Sequence, residues 1–273
     1  MIDYHVHTNY SFDSEYSMAE MVKQAVELGV EELAFTDHAD FRYVNGRATN
    51  RFLLDIDFDK YLRELNLLRK RYAGKIRLTF GVEVGVGSLA KKEVEGFLVS
   101  QPFEFVIGSL HDYAGVDFYY PDFYEGKTKK QAYEEYFIEM KKIAETVNGF
   151  HVFGHLDYIE RYGRYEDKRL DYDDFREVID DTLKAIIYSG RGIEVNTSRM
   201  RYKLGGGLDV AHPRFKILKR YRELGGQIIT LGSDAHSPEY ICSCFKEAKE
   251  CLRVAGFNAI TIYRDGKPVF VDI

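Results

Sequence analysis

The chain has 273 residues, 45% of them hydrophobic and 30% charged, enough to bury a substantial core as one large α/β domain or two small ones. Its net charge of −6 argues against an extended nucleic-acid or anionic-membrane surface. With no basic-then-apolar leader and no apolar run of membrane-spanning length, a cytoplasmic protein is expected.

Strand-like and helix-like patterns alternate along the chain. The first strand, "IDYHVH" (2–7), leads into a predicted helix. There Ser17 and Glu20 form a capping box, Met18, Met21, Val22, Ala25 and Val26 share one face, and Gly29 ends it. "ELAFTDH" (32–38) is the second strand. A helix carrying Tyr61, Leu62, Leu65, Leu68 and Tyr72 precedes the third, "IRLTFGVEV" (76–84). "FEFVIGSLH" (103–111) is the fourth, and a long helix follows over about 128–147. The fifth, "HVFGHLD" (151–157), comes before a helix over about 175–188. "GIEVNTS" (192–198) is the sixth strand, a helix opens at Pro213, and "QIITLGSDAH" (227–236) is the seventh. A helix over about 239–255 precedes two β runs about Asp265-Gly266, a hairpin signal.

Seven β/α repeats without a linker predict one α/β domain over 1–273, a parallel TIM-like barrel with a short C-terminal β-hairpin. An open doubly wound sheet is the alternative; its dinucleotide version would need a Gly-x-Gly-x-x-Gly after a strand, and none is present. The three glycines at 205–207 read as a loop. Cys242, Cys244 and Cys251 are odd in number and match neither a disulfide framework nor a zinc pattern.

The histidines fall at one kind of place. His5 and His7 end strand one and His38 strand two. Glu83 ends strand three, His111 strand four and His155 strand five, and Asp234 and His236 end strand seven. Barrel enzymes build their sites at the C-terminal ends of strands, and residues i and i+2 of a strand share a face, so His5 and His7 can grip one ion. A lone His-x-His is an ordinary feature of a core. Six of eight histidines and two acids converging on one mouth point to bound metal. Imidazole and carboxylate without thiolate suit a catalytic site for Zn, Mn or Fe. His151 and His212 lie outside the pattern and carry no assigned role.

The motifs "HVHT", "FTDH", "GVEVG", "GSLHD", "GHLD", "EVNTS" and "GSDAH" resemble, in order, those of the polymerase-and-histidinol-phosphatase (PHP) family, and within it the histidinol-phosphate phosphatases. The resemblance implies a distorted (β/α)7 barrel and a trinuclear site of three divalent ions. His5, His7, Glu83 and Asp234 would hold one ion. Glu83 would bridge to a second ion on His111 and His155. His38 and His236 would hold the third. Where some relatives carry a histidine six residues after the second motif histidine, this chain has Asp13, expected to complete the third site; Ser11, Asp13 and Ser14 would also suit a plain turn.

The implied reaction is hydrolysis of a phosphate monoester, L-histidinol phosphate, by a metal-bridging hydroxide, as a step of histidine biosynthesis. Nucleotides or other small phosphomonoesters are the alternative substrates. Asp234 and His236 would serve the chemistry as well as the metals. Arg161 and Arg199, just beyond strands five and six, are placed where a guanidinium can fork onto phosphate oxygens. The expected partner is a small molecule rather than nucleic acid or membrane, and the sequence does not fix an oligomeric state.

Overall fold

A computed structural model describes residues 1–44, 47–52, 56–198 and 213–273, with the side chains of 42–52 and 213–214 excluded. Seven parallel strands follow one another in space as in sequence. They are β1 (Ile2–Val6), β2 (Glu32–Phe35), β3 (Arg77–Gly85), β4 (Phe105–Ser109), β5 (Val152–Phe153), β6 (Gly192–Asn196) and β7 (Ile229–Gly232). The register runs from Glu32 beside both Ile2 and Arg77 to Ile193 beside Ile229.

Beyond β7 the chain comes alongside β1. Val6 bridges Ala235, the Asp234 N–H donates to the His5 carbonyl at 2.8 Å, and the His7 N–H donates to the Ala235 carbonyl at 2.9 Å. That return makes the sheet a nearly closed barrel and removes the open-sheet alternative.

Helices cover the outside. The first, α1 (Met18–Glu27), starts at the predicted capping box and ends where Gly29 takes a φ of +70°, which glycine adopts freely. The next, α2 (Phe58–Arg71), buries Phe58, Tyr61, Leu65 and Leu68. The 128–147 helix is observed as Lys129–Thr146, capped by Thr128, and its successor as Arg176–Tyr188. Pro213 opens a helix to Glu223 as expected.

The last helix departs from expectation. It begins at Phe245 rather than near 239, because Cys242 and Cys244 both take left-handed backbone angles that no α-helix continues through. A helix at Lys91–Ser100 and two small hairpins, Phe41–Val44 with Arg47–Phe52 and Asp112–Tyr113 with Val116–Asp117, complete features the strand pattern did not announce.

The predicted C-terminal hairpin forms, from β8 (Ala259–Arg264) and β9 (Lys267–Asp272), turning at Asp265 and Gly266 with φ of +51° and +69°. Ile262 and Tyr263 pack with Tyr4, Phe105, Ile107 and Val152. Arg264 pairs with Glu32 at the first residue of β2, and Tyr4 donates to the same carboxylate at 2.5 Å. The hairpin thus closes the N-terminal end of the barrel, leaving the C-terminal end as the open mouth. Among the described residues, no helix is long and apolar enough to cross a membrane.

Candidate metal centre

Strand ends bring the predicted side chains together at the mouth. His5, on β1, and His7, just past it, are fully buried. The second strand stops at Phe35, and after a break at Thr36 and Asp37 the chain resumes pairing with His38 directly beside Glu83 of β3. His111 and His155 follow β4 and β5, and Asp234 and His236 follow β7.

Glu83 is the centre of the cluster. Its Oε2 lies 3.1 Å from His5 Nε2, 3.1 Å from His38 Nδ1 and 3.4 Å from His7 Nε2. Its Oε1 lies 2.9 Å from His155 Nε2 and 3.3 Å from His111 Nε2, and accepts from Ser109 Oγ at 2.5 Å. Asp234 Oδ1 is 3.4 Å from His7 Nε2, 3.7 Å from His5 Nε2 and 3.6 Å from His236 Nδ1. Asp13 Oδ2 lies 3.1 Å from His236 Nε2 and 3.6 Å from His38 Nε2.

Among the described residues, three groups have ligand atoms within 4.8 Å of one another: His5, His7 and Asp234; His7, His38 and His236; and His38, Glu83 and His111. His7 and His38 each belong to two groups, so the cluster is continuous. Donor atoms about 2.0–2.2 Å from a tetrahedral zinc ion are roughly 3–3.5 Å from each other, the range of most of these separations.

A second layer of carboxylates lies behind the imidazoles. Glu194 Oε1 is 2.6 Å from His5 Nδ1, and its Oε2 accepts from the His155 N–H and from Asn196. Asp40 Oδ1 is 2.9 Å from His111 Nδ1. These pairs leave Nε2 of each ring turned toward Glu83, the arrangement in which an outer carboxylate fixes the tautomer of a ligating histidine. Two glycines make room for them. A Cβ at Gly232 would lie 2.4 Å from His5 Cβ and 2.2 Å from Glu194 Oε1, and one at Gly85 would lie 2.1 Å from Asp40 Oδ1.

The electrostatics ionise the carboxylates and neutralise His7, while neighbouring carboxylates outweigh burial and raise His5, His38, His111 and His236 toward the imidazolium form that a metal ion must deprotonate. Burial opposes charge on Glu83, but His5 and His38 and the hydrogen bonds of His111 and His155 hold it well below the usual carboxylate range. Asp234 and Asp13 are likewise lowered against burial by their imidazole neighbours. Burial, with His236 and His38 nearby, pushes His7 down to about 3, so its ring is neutral. Burial is outweighed at His38, where Glu83, Asp13 and Asp40 raise it to about 9. Metal ions displace such protons when they bind. Among the described residues, His7 Nε2, His38 Nδ1 and His236 Nε2 are buried beside carboxylates without a well-directed hydrogen bond, a shortfall that ligation would remove. The donor set fits divalent cations.

Arg161 is at the rim of the cluster, on a short helix from Tyr158 to Tyr162. Its Nη2 donates to Ser198 Oγ at 3.1 Å and is 3.6 Å from Asp234 Oδ2, while its guanidinium covers the Tyr158 ring. Tyr158 itself stacks on His155 at 4.9 Å between ring centroids. Arg199 and His212 lie outside the described residues, as do the glycines at 205–207. His151 is remote from the cluster and accepts the Val106 N–H at Nδ1. Glu194, Asp40 and Tyr158 carry no motif or periodicity that singles them out in the sequence. Glu194 was visible only within the quoted "EVNTS", two residues before Asn196 on the same strand face.

A family model described as "PHP domain" matches residues 3–198. The histidinol-phosphatase of Lactococcus lactis is 31% identical over 263 residues, covering 96% of this chain and 94% of that protein. A protein of Clostridium acetobutylicum named "Probable histidinol-phosphatase" is 33% identical over 252 residues, covering 91% of each. The crystal structure of histidinol phosphate phosphatase from Lactococcus lactis, complexed with Zn, L-histidinol and phosphate, is 30% identical with a TM-score of 0.87 and 98% coverage of both chains.

Proposed function

The chain belongs to the PHP domain family, and from that premise we propose that it is a metal-dependent phosphomonoesterase hydrolysing L-histidinol phosphate to L-histidinol and phosphate. The observation that carries this reading is the pairing of the buried imidazole–carboxylate cluster with a relative, alike over 98% of both chains, that holds zinc and both products of this reaction. The reaction is a step of histidine biosynthesis. Three free cysteines fit the reducing cytoplasm in which we place it. We read 1–273 as one barrel domain, supported by a core cluster that includes residues from Val6 to Ile260.

We assign three divalent ions, of zinc, manganese or iron. His5, His7, Glu83 and Asp234 would hold the first, and Glu83, His111 and His155 the second. His38, His236 and Asp13 would hold the third, Asp13 supported by its 3.1 Å approach to His236. Ions bound there supply positive charge for a phosphate dianion and a water of lowered pKa.

The protein's own groups do the rest. Asp234 links the two halves of the site, with Oδ1 toward His5 and His7 and Oδ2 toward Arg161 and Asn196. Its φ of +54° is a strained backbone held by the bond to His5. Arg161 would bind a phosphate oxygen from the rim, stiffened by Ser198 and Tyr158. Arg199 is assigned a parallel role from its place after β6. Glu194 and Asp40 hold the tautomers of His5 and His111.

The test is phosphate release from L-histidinol phosphate by chelator-stripped protein before and after return of Zn, Mn or Fe. Activity restored by metal supports the proposal; equal activity in the stripped and loaded protein contradicts it.

A further inference from the structure

Asp37 lies between β2 and His38, fully buried, and its carboxylate accepts four hydrogen bonds. Oδ1 accepts from the Thr8 N–H at 2.6 Å and from Ser11 Oγ at 2.7 Å. Oδ2 accepts from Thr8 Oγ1 and Tyr61 OH, both at 2.9 Å. Among the described residues no cation joins these partners, and the carboxylate is held by neutral donors converging from the turn after β1 and from α2. An isolated buried carboxylate is costly, and this degree of satisfaction marks a built feature.

Ser11 is the shared point. Its Oγ donates to Asp37, which leaves its lone pairs for donors on the other side. It lies 2.9 Å from His7 Nδ1 and accepts the His38 N–H at 3.1 Å. With the hydroxyl proton committed to Asp37, the geometry places the His7 proton on Nδ1 and leaves Nε2 as a lone pair facing Glu83 and Asp234. His5 and His111 have a carboxylate directly behind them; His7 has one at the far end of a serine.

The same turn carries the site onward. The Ser11 N–H donates to the Thr8 carbonyl, and Asp13 follows two residues later beside His236 and His38. The turn is also braced from α2, since Tyr10 packs edge-on against Tyr61 at 4.7 Å and donates to Glu64 at 3.0 Å.

We infer that Asp37 and Ser11 are positioning residues for the metal centre: Asp37 orients the Ser11 hydroxyl, which fixes the His7 tautomer and pins the turn that delivers Asp13. This rests on the reading of the cluster as a metal site. Outer partners of ligating histidines are typically worth about 10–100-fold in metal affinity.

Zinc-loaded wild type, Ser11→Ala and Asp37→Asn are challenged with a chelator, and zinc retained is counted against time. Two-bond 1H–15N spectra of the metal-free proteins report the His7 tautomer. Thr8→Val, which removes the Thr8 hydroxyl's bonds to Asp37 and to the Tyr10 N–H but leaves the serine link, serves as a control for general loosening of the turn. The expected result is zinc release about 10–100-fold faster from Ser11→Ala than from Thr8→Val, with the Nδ1 protonation of His7 no longer fixed. Should Asp37→Asn not fold, Ser11→Ala alone carries the comparison. Release from Ser11→Ala no faster than from Thr8→Val, with the His7 tautomer unchanged, overturns the inference while leaving the metal site standing. Wild type that takes up no zinc, manganese or iron overturns the metal reading itself.

Discussion

Glu194 Oε1 lies 2.6 Å from Nδ1 of His5, on the opposite side of the ring from Glu83. One imidazole is thereby clamped between two carboxylates, which outweigh burial and raise it well above the ordinary histidine value; with an ion on Nε2 its remaining proton would face Glu194. Glu194→Ala should weaken metal retention by about 10–100-fold, with Glu194→Gln closer to wild type because its amide oxygen still accepts from Nδ1. Metal content after dialysis decides this. Equal retention in wild type and Glu194→Ala would show that the His5 ring needs no outer partner.

Asp13 makes a narrower prediction. Among the described residues its carboxylate meets the two histidines assigned to the third ion, His38 and His236, and makes none of the Glu83 contacts. Asp13→Ala should therefore lower the bound metal by about one ion per chain while the other two remain, following the ligand sets above. Unchanged stoichiometry would return Asp13 to the role of a turn residue.

Arg161 sits outside the ligand cluster but against Asp234. A hydrogen bond to a charged group is worth about 1.5–3 kcal/mol, so Arg161→Met should lower kcat/KM about 10–100-fold with metal content unchanged. Steady-state kinetics on metal-quantified protein provide the check. A wild-type specificity constant would remove Arg161 from phosphate binding.

His151 gives a pH prediction away from the metals. It is packed between Phe105 and Tyr263 and accepts the Val106 N–H, and burial, with Arg191 nearby, pushes it down to about 4. The unfolded chain, near the ordinary histidine value of about 6.5, binds the proton first as pH falls. The stabilisation is therefore complete above about 6.5 and is lost toward 4, a change on the order of 3 kcal/mol. Denaturant unfolding of wild type and His151→Gln across this range should show the steeper acid loss in wild type. Parallel profiles would contradict the assignment.

Much of the site was legible because strand geometry is simple. His5 and His7 are two apart on a strand, and Glu83, His111, His155 and Asp234 each close a β pattern, so topology alone brings them to one mouth. Asp13 was legible only by its register in the family motif, since its own neighbours also suit a turn. Glu194, Asp40 and Asp37 were not, because each acts on a histidine up to 189 residues away and a lone acid carries no periodicity. The same limit applied to the fold. The Phe245 helix start depends on left-handed angles at two cysteines, which side-chain pattern does not encode. The hairpin at Asp112–Asp117 is too short to show alternation.

The central claim is that this metal site acts on L-histidinol phosphate. Steady-state kcat/KM for L-histidinol phosphate and for p-nitrophenyl phosphate, measured on one preparation of metal-quantified protein, tests it most directly. The specificity constant for L-histidinol phosphate should lie well above that for p-nitrophenyl phosphate. Equal constants, or a preference for the aryl ester, would contradict it.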